Sequence, residues 1–338
     1  MSRREQKNDK MRIALDAMGG DHAPAEVVRG AVESAKEHKI EVVLVGQQEA
    51  IRSQLDLYGQ TGLALSIVDA SQVVEMGDHP AMAIRQKRDS SIVVGMNLLK
   101  EGSVSAFVSA GNSGALMTAA LLVLGRIEQI ERPAIGTVFP TLSGKAFLLD
   151  VGANADCRPM HLVQFAHMGS LYMEKVFGIE KPRVALLSNG EEETKGNQLV
   201  QEAHRLLKMS DLNFIGNVEG KDIPKGVADV VVCDGFTGNV VTKVTEGLSE
   251  MLFESLRQAL TRQLHFKVAA SILRPAFSDV KKQLDYTEYG GAPLLGVDGV
   301  VIVAHGRSDA KAIKNALRVA KQAVEQNMLA ALKLKVAN

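Results

Sequence analysis

The 338-residue chain carries 39 Lys and Arg against 39 Asp and Glu, so its formal net charge is zero. That balance, together with the lack of a basic block with interleaved aromatic residues, argues against nucleic acid as a partner. Hydrophobic residues make up 46% of the chain but include no Trp, so aliphatic side chains must build the core. Such a core is typical of buried parallel strands covered by helices. The two cysteines exclude a disulfide framework and a cysteine-rich zinc site.

The two ends of the chain differ in composition from the rest. Residues 1–10 are polar and charged and lack the apolar region of a signal peptide, which predicts a disordered arm and a cytoplasmic protein. No apolar run reaches the ~18 residues that span a bilayer. Residues 328–338 predict a frayed tail. We predict a single α/β catalytic domain over 11–327, with a helical hairpin at about 240–285.

The first strand-to-helix corner follows an apolar run over residues 11–16. Glycines and polar groups stand together at the carboxyl end of this predicted strand: Asp16, Gly19, Gly20, Asp21 and His22. Glycines let the backbone approach a ligand closely. A capping aspartate beside a surface histidine explains the pattern equally well, so both interpretations remain open.

A second corner joins a predicted strand over 104–108 to an apolar helix over 115–124. The candidate ligands in its turn are Ser109, Gly111, Asn112, Ser113 and Gly114. Either Asn112 or Ser113 is suited to cap the helix. A strand, a glycine-rich turn and a helix N-terminus together favour phosphate, although the glycine spacing alone is a weak motif and an ordinary corner has the same pattern.

Similar corners recur in the second half, after an antiparallel hairpin predicted over 135–150. Polar groups follow each predicted strand: Asn154, Lys195 and Asn197, then Asp234, Gly235, Gly238 and Asn239, and finally His305 and Ser308. Lys195 comes directly after three glutamates and a threonine, so a surface salt bridge and an oxyanion ligand are both reasonable. Cys233 has no nearby histidine, and we expect a small buried hydrophobe there.

Two basic segments stand apart from the corners. Pro80 predicts the start of a helix that carries Arg85, Lys87 and Arg88, which is either a solvated face or a docking point for an acidic group. Residues 257–282 hold six Lys and Arg and one acid, a charge of +5. Bulky apolar residues lie among them: Leu264, Phe266, Val268, Ile272 and Leu273. This mixture predicts contact with a membrane surface or, alternatively, an exposed hairpin or dimer contact.

In an open α/β sheet such corners gather at the carboxyl edge of the strands, where several helix N-termini can hold phosphate. The chain lacks GxxxxGK[ST], GxGxxG and GxSxG, which argues against a Walker-type NTPase, a standard dinucleotide site and an acyl-enzyme hydrolase. The remaining chemistry is one in which phosphate itself reacts, with neither cofactor nor metal.

The segments at 16–24, 109–115, 195–197, 234–239, 289–296 and 305–308 resemble those of the phosphate acyltransferase family (PlsX) of bacterial phospholipid synthesis. The resemblance implies an open, mostly parallel Rossmann-like sheet, similar to phosphotransacetylases and to isocitrate and isopropylmalate dehydrogenases, with a protruding helical hairpin. It implies transfer of a fatty acyl group from acyl carrier protein to inorganic phosphate, giving acyl-phosphate. It also implies a cytoplasmic homodimer at the membrane surface that feeds a glycerol-3-phosphate acyltransferase, with Lys195 and Asn239 in the active site.

The hypothesis that follows is direct attack of phosphate on the thioester. The amides of 111–114 and Ser113 would hold phosphate, Lys195 would neutralise charge, and Asn239 would donate to the developing oxyanion. Asp234 and His22 join the catalytic candidates, and His305 is a second histidine that is a candidate for proton transfer. A phosphotransacetylase that uses acyl-CoA and a non-catalytic scaffold for lipid enzymes remain as alternatives.

Overall fold

The computed structural model describes residues 11–38, 40–59, 62–284 and 289–337. The chain divides into two compact units, one formed by residues up to 128 together with those from 290 onward, the other by 129–289. The span from 11 to 327, which we predicted as a single domain, therefore contains two units. The predicted arm at 1–10 lies outside the described residues.

The first unit contains a six-stranded part of the sheet in the order β3-β2-β1-β4-β11-β10. With strands numbered along the chain, these are β1 Arg12–Asp16, β2 Glu41–Gly46, β3 Leu65–Asp69, β4 Ala106–Ser109, β10 Ala292–Leu295 and β11 Val301–Val303. Neighbouring strands run parallel except β10 and β11, which are antiparallel. Strand β10 lies within the glycine-containing segment at 289–296, for which we had predicted no strand.

Helices cover both faces of this sheet. They are α1 Ala25–His38, α2 Gln48–Leu55, α3 Pro80–Gln86, α4 Ser91–Lys100, α5 Ser113–Ala119 with a π-helical extension over Ala120–Leu124, α10 Ala310–Glu325 and α11 Met328–Ala337. Because strand side chains alternate between faces, Ile13 and Leu15 pack with α1 and α10. The ring of Phe107 packs against Gly95 of α4, where an added Cβ would lie 2.1 Å from the ring.

The end of the chain corrects one expectation. Residues 328–338 were predicted to fray, but α11 occupies Met328–Ala337. Met328 and Leu332 are buried, and the free energy gained by burying these apolar side chains holds the segment in place. Asn338 lies outside the described residues.

The second unit contains the strand order β5-β6-β9-β7-β8. Its elements are β5 Ala134–Thr141, β6 Gly144–Leu149, α6 Pro159–Phe177, β7 Val184–Leu187, α7 Gln198–Lys208, β8 Phe214–Val218, β9 Val230–Val232, α8 Gly235–Thr261 and α9 Leu264–Leu284. β5 and β6 form the predicted antiparallel hairpin, and the other pairs are parallel. The predicted class, an α/β fold with an open and mostly parallel sheet, is confirmed.

The predicted helical segment at 240–285 forms two helices. α8 ends at Thr261 and α9 begins at Leu264. Pro275 lies inside α9 and does not end it. Among the helices that the structure describes, none combines the length and apolar content needed to cross a bilayer.

Candidate functional site

The first corner is organised by the carboxylate of Asp16, which is buried at the end of β1. Ser109 Oγ, at the end of the neighbouring strand β4, donates to Asp16 Oδ2 at 2.7 Å, and the Met18 N–H donates to Oδ1 at 3.1 Å. Burial raises the pKa of Asp16, while hydrogen bonds from Ser91 and Ser109 offset part of that rise. Asp16 therefore fastens two turns together rather than facing a ligand.

Two positions at this corner, Gly19 and Gly20, are poorly suited to any residue with a side chain. A Cβ on Gly19 would lie 2.5 Å from Asp16 Oδ2 and 2.7 Å from the Gly111 nitrogen. Gly20 has a φ of +107°, which side chains rarely adopt. The N–H of Asp21 donates to the Gly306 carbonyl at 2.8 Å, so the loop after β11 joins the corner. The side chains of Asp21 and His22 are exposed.

The turn at 109–114 has a defined cap. Asn112 Oδ1 accepts the Ala115 N–H at 3.0 Å, so Asn112 and not Ser113 caps α5. Its Nδ2 donates to the Met76 and Asp78 carbonyls at 3.0 and 3.2 Å. The Gly111 N–H already donates to Ser109 Oγ at 3.0 Å, which removes that amide from the predicted phosphate ligands. The exposed Ser113 and the N–H groups that begin α5 remain.

The predicted ligands after β11, His305 and Ser308, take part in hydrogen bonds within their own loop. The Arg307 N–H donates to His305 Nδ1 at 3.2 Å, and the Ser308 N–H donates to the His305 carbonyl at 2.9 Å. Ser308 is buried, so this predicted ligand is not exposed to substrate. His305 is half-buried.

In the second unit, the strand end of β6 carries a buried carboxylate at Asp150, next to Asn154. Asn154 Nδ2 donates to Asp150 Oδ2 at 2.8 Å and to the Pro133 carbonyl at 2.7 Å. Asn154 was predicted to bind substrate, but it is buried and both hydrogens of its Nδ2 are used by these partners. Burial raises the pKa of Asp150, and hydrogen bonds from the following loop offset part of that rise.

The corner after β9 packs directly on this loop. The Gly235 N–H donates to the Asn154 carbonyl at 2.7 Å, and a Cβ on Gly238 would lie 1.9 Å from the Asp150 carbonyl oxygen. Asp234 Oδ1 accepts the Thr237 N–H at 2.9 Å and caps α8, so this predicted catalytic group has a capping role. Asn239 is exposed, with Nδ2 donating to the Val151 carbonyl at 3.3 Å.

The loop at 189–197 presents Lys195 to solvent. Of the three glutamates before it, Glu193 pairs with Lys208, and within the described part of the chain the Lys195 ammonium group makes no ion pair. The Lys195 N–H donates to the Glu192 carbonyl at 3.0 Å. Asn197 Oδ1 accepts the Val200 N–H at 2.9 Å, which makes it the cap of α7.

Neither cysteine is suited to act as a nucleophile. Burial and two nearby carboxylates raise the pKa of Cys157 to about 12. Cys233 is buried, its Sγ lies 3.4 Å from the Asp150 carbonyl oxygen, and burial raises its pKa well above the ordinary value. Thiolate is the reactive form, so both thiols are unreactive at neutral pH. The predicted role of Cys233 as a small buried hydrophobe is confirmed.

The predicted docking helix, α3, ends at Gln86, so only Arg85 of the three predicted cations lies on it, and Lys87 and Arg88 follow its end. Arg85 and Arg88 are exposed. Lys87, by contrast, donates to Asp78 Oδ2 at 2.6 Å and to the Val73 carbonyl at 2.8 Å. These bonds hold the preceding loop, so Lys87 is removed from the docking set.

Four of the predicted membrane-contact residues on α9 have exposed apolar side chains: Phe266, Val268, Ile272 and Leu273. The side chain of Leu264 lies outside the described residues. On α8, exposed apolar residues recur at helical spacing: Val240, Val244, Leu248, Met251 and Leu252. We call this second set the α8 apolar stripe.

Two residues that fasten the corners were missed as site residues. The side chain of Ser91, at the start of α4, hydrogen-bonds to the carboxylate of Asp16. The carboxylate of Asp150 accepts backbone N–H groups of the loop beside Asn239. Ser91 gives no signal in the sequence because its partner lies 75 positions away. Asp150 gave one, since a charged residue directly after the apolar run at 146–149 requires buried donors.

Solved structures with a similar fold define the class. A phosphotransacetylase from Streptococcus pyogenes superimposes with a TM-score of 0.61 at 17% identity, covering 97% of this chain and 95% of that one. A branched-chain phosphotransacylase from Enterococcus faecalis gives 0.58 at 14% identity, covering 93% and 99%. At these identities the similarity shows the fold, which is that of the phosphotransacetylases.

The sequence comparisons identify the family. Residues 11–331 match the family described as fatty acid synthesis protein. A protein named phosphate acyltransferase from Dictyoglomus turgidum is 56% identical over 317 residues, covering 93% of this chain and 94% of the relative. One of the same name from Desulfitobacterium hafniense is 55% identical over 324 residues, covering 96% of each. The chain therefore belongs to the phosphate acyltransferase family, and the protein is an acyltransferase.

Proposed function

We propose that this enzyme transfers a fatty acyl group from acyl carrier protein to inorganic phosphate, giving acyl-phosphate for phospholipid synthesis. Two relatives that cover more than nine-tenths of the chain are named phosphate acyltransferases. The observation that carries the proposal is the chemistry of two exposed polar groups of the second unit, a cation at Lys195 and an amide at Asn239. These groups bind and stabilise oxyanions, and neither of them is an activated nucleophile.

Phosphate would be the attacking reagent. One of its oxygens bonds to the thioester carbonyl carbon, the resulting tetrahedral oxyanion collapses, the carbon–sulfur bond breaks, and the carrier thiol leaves as a thiolate that solvent protonates. The Ser113 hydroxyl and the first N–H groups of α5 are suited to hold phosphate. Lys195 would offset the charge of phosphate or of the oxyanion. No acyl-enzyme is formed, in keeping with the raised pKa of Cys157 and the burial of Cys233.

Asn239 has the geometry of an oxyanion donor. One hydrogen of its Nδ2 is directed to the Val151 carbonyl at 3.3 Å, which leaves the second for the developing negative charge. A donor that is already held in place costs little to reorganise when the charge appears.

Three surfaces support the wider role of the enzyme. Arg85 and Arg88 would dock the acidic carrier protein, next to the exposed side chain of Met82. The exposed apolar residues of α9, among basic ones, would lie on the membrane, which makes the enzyme a peripheral protein of the cytoplasmic face. The α8 apolar stripe would be covered by a second copy in a homodimer. A glycerol-3-phosphate acyltransferase would consume the product.

The test is phosphate-dependent release of thiol from carrier-bound palmitate, with acyl-phosphate trapped by hydroxylamine. Release that requires both the enzyme and phosphate supports the proposal. Turnover with palmitoyl-CoA but not with the carrier-bound substrate would make the enzyme a phosphotransacetylase. Absence of acyl-phosphate with either donor would favour the non-catalytic scaffold.

A further inference from the structure

The carboxylate of Asp150 is saturated by N–H donors. Oδ1 accepts from the backbone of Ile135, Gly152 and Ala153 at 3.2, 3.1 and 3.0 Å. Oδ2 accepts the backbone N–H and the Nδ2 of Asn154 at 2.7 and 2.8 Å. Only an ionised carboxylate accepts all of these bonds, because a proton would displace at least one donor. Asp150 therefore does not transfer protons, and its effect is on the conformation of the loop around it.

The loop that Asp150 holds is the one that orients Asn239. Residues 152–154 bond to the carboxylate, and the carbonyl just before them, that of Val151, accepts Nδ2 of Asn239. The same loop receives the first turn of α8, through the Gly235 N–H on the Asn154 carbonyl. Asn239 directly follows that first turn, so the placement of its backbone and the acceptor of its side chain both depend on the loop that Asp150 holds.

The bond to Val151 is sensitive to small displacements. At 3.3 Å it is already beyond the usual range for N–H···O bonds, so a shift of a few tenths of an ångström releases the amide. Space around Asn239 is also limited, since a Cβ on Gly152 would lie 3.2 Å from Nδ2.

We infer that Asp150 is a positioning residue that fixes the amide of Asn239 for the acyl-transfer step. This inference rests on the proposed function for its kinetic effect. It differs from the assignment of Asn239 itself, because Asp150 is buried and does not touch substrate.

The test is a double-mutant cycle on kcat for phosphate-dependent thiol release. Removing an oxyanion donor in Asn239→Ala should lower kcat by ~100-fold. Asp150→Asn should lower kcat by ~10-fold in the wild-type background but less than about twofold in the Asn239→Ala background, since the residue it positions is gone. A full tenfold loss in both backgrounds, or unchanged kcat in the single variant, would overturn the inference.

Asp229→Asn is the matched control. Its carboxylate, at the other end of β9, accepts the backbone and guanidinium N–H groups of Arg183. Loss of that group should lower the thermal midpoint while kcat stays within about twofold of wild type. If it lowers kcat as much as Asp150→Asn does, the effect is general destabilisation and the inference fails.

Asn154→Ala keeps the test available if Asp150→Asn does not fold. It removes one donor to Asp150 and leaves four, so we expect a few-fold loss of kcat that again disappears beside Asn239→Ala. A loss that persists in that background contradicts the inference.

The Asn239 side-chain NMR signal, assigned by its absence in Asn239→Ala, gives a readout that needs no activity. Its two amide proton shifts should converge in Asn154→Ala and remain separate in Asp229→Asn. If the wild-type enzyme does not turn over, the proposed function fails, while unchanged shifts in Asn154→Ala would defeat the inference independently.

Discussion

The corner side chains divide into those that face solvent and those that hold the backbone. Lys195 and Asn239 are exposed, whereas Asp16, Asp150 and Asn154 are buried and bonded to loop N–H groups. A buried polar group must find partners inside the protein, and turns at the strand ends supply them. Reactivity is therefore expected of the exposed set, and geometry of the buried set.

Lys195→Ala and Asn239→Ala should each fold normally and lose turnover. Both side chains are exposed, so little packing is lost, while each removes one stabiliser of developing negative charge. We expect kcat to fall by roughly 100-fold or more in each variant. Steady-state thiol release measures this, and circular dichroism checks the fold. Lys175→Ala, an exposed lysine on α6, should keep wild-type activity. Full activity in either test variant would remove that residue from the mechanism.

The histidine at the start of α6 predicts a pH dependence of stability. His161 is buried, its Nδ1 accepts the Arg158 N–H at 3.1 Å, and its Nε2 lies 3.1 Å from Glu131 Oε2. Burial lowers the pKa of His161, and Glu131 offsets part of this effect. The unfolded chain then binds a proton before the folded one does, so the free energy of unfolding should fall as the pH drops below about 6.5.

Urea unfolding at pH 7.5 and pH 5.5 measures the effect. His161→Gln, which does not titrate, should lose less stability between the two pH values than the wild type. His22→Gln, at an exposed position, should keep the wild-type dependence. If the free energy of unfolding changed equally between the two pH values in all three proteins, His161 would not be the source of the pH dependence.

At the scale of single elements, the carrier-docking hypothesis is reduced to two arginines, Arg85 on α3 and Arg88 just after its end. Arg85→Glu with Arg88→Glu should raise KM for the carrier-bound substrate by about tenfold, since two lost ion pairs of ~0.7 kcal/mol each give that factor. Palmitoyl-pantetheine, which lacks the acidic protein, should show no change. Arg52→Glu with Lys100→Glu, two exposed cations elsewhere in the first unit, is the control. An unchanged KM for the carrier-bound substrate would contradict this docking site.

The exposed face of α9 gives the membrane prediction. Phe266→Glu with Ile272→Glu should weaken cosedimentation with anionic vesicles by at least about tenfold, because burying each apolar side chain in the interface contributes roughly 1.5–3 kcal/mol. Leu142→Glu with Met209→Glu changes two other exposed apolar residues of the second unit and should bind vesicles as the wild type does. Undiminished binding of the α9 variant would rule out this face as the membrane contact.

At the scale of the whole molecule, the proposed homodimer can be tested at the α8 apolar stripe. A contiguous exposed apolar face of this length is uncommon on a monomer. Leu248→Glu with Leu252→Glu should shift the sedimentation coefficient from that of a dimer to that of a monomer at micromolar concentration. Leu142→Glu with Met209→Glu again serves as the comparison and should remain dimeric. A test variant that still sediments as a dimer would place the interface elsewhere.

Local patterns in the sequence were enough to find most elements. The antiparallel hairpin and the strand-to-helix corners lie close to their predicted positions, and helices occupy the predicted helical segment at 240–285 as far as the structure describes it. The strand at 292–295 and the terminal helix α11 were not found. Both depend on partners that are distant in sequence, a neighbouring strand for the first and a buried apolar surface for the second.

The α/β class, the strand-to-helix corners and the resemblance to the phosphate acyltransferases could all be predicted from the sequence, because they depend on short runs of apolar residues, glycines and caps. Which polar side chains are available for chemistry became clear from the folded chain alone. Lys87 and Asn154 look like ligands in the sequence, yet both are bonded internally, whereas Lys195 is exposed. The physical reason is that hydrogen-bond partners such as Asp16 and Ser109, 93 positions apart, meet only when the strands pair.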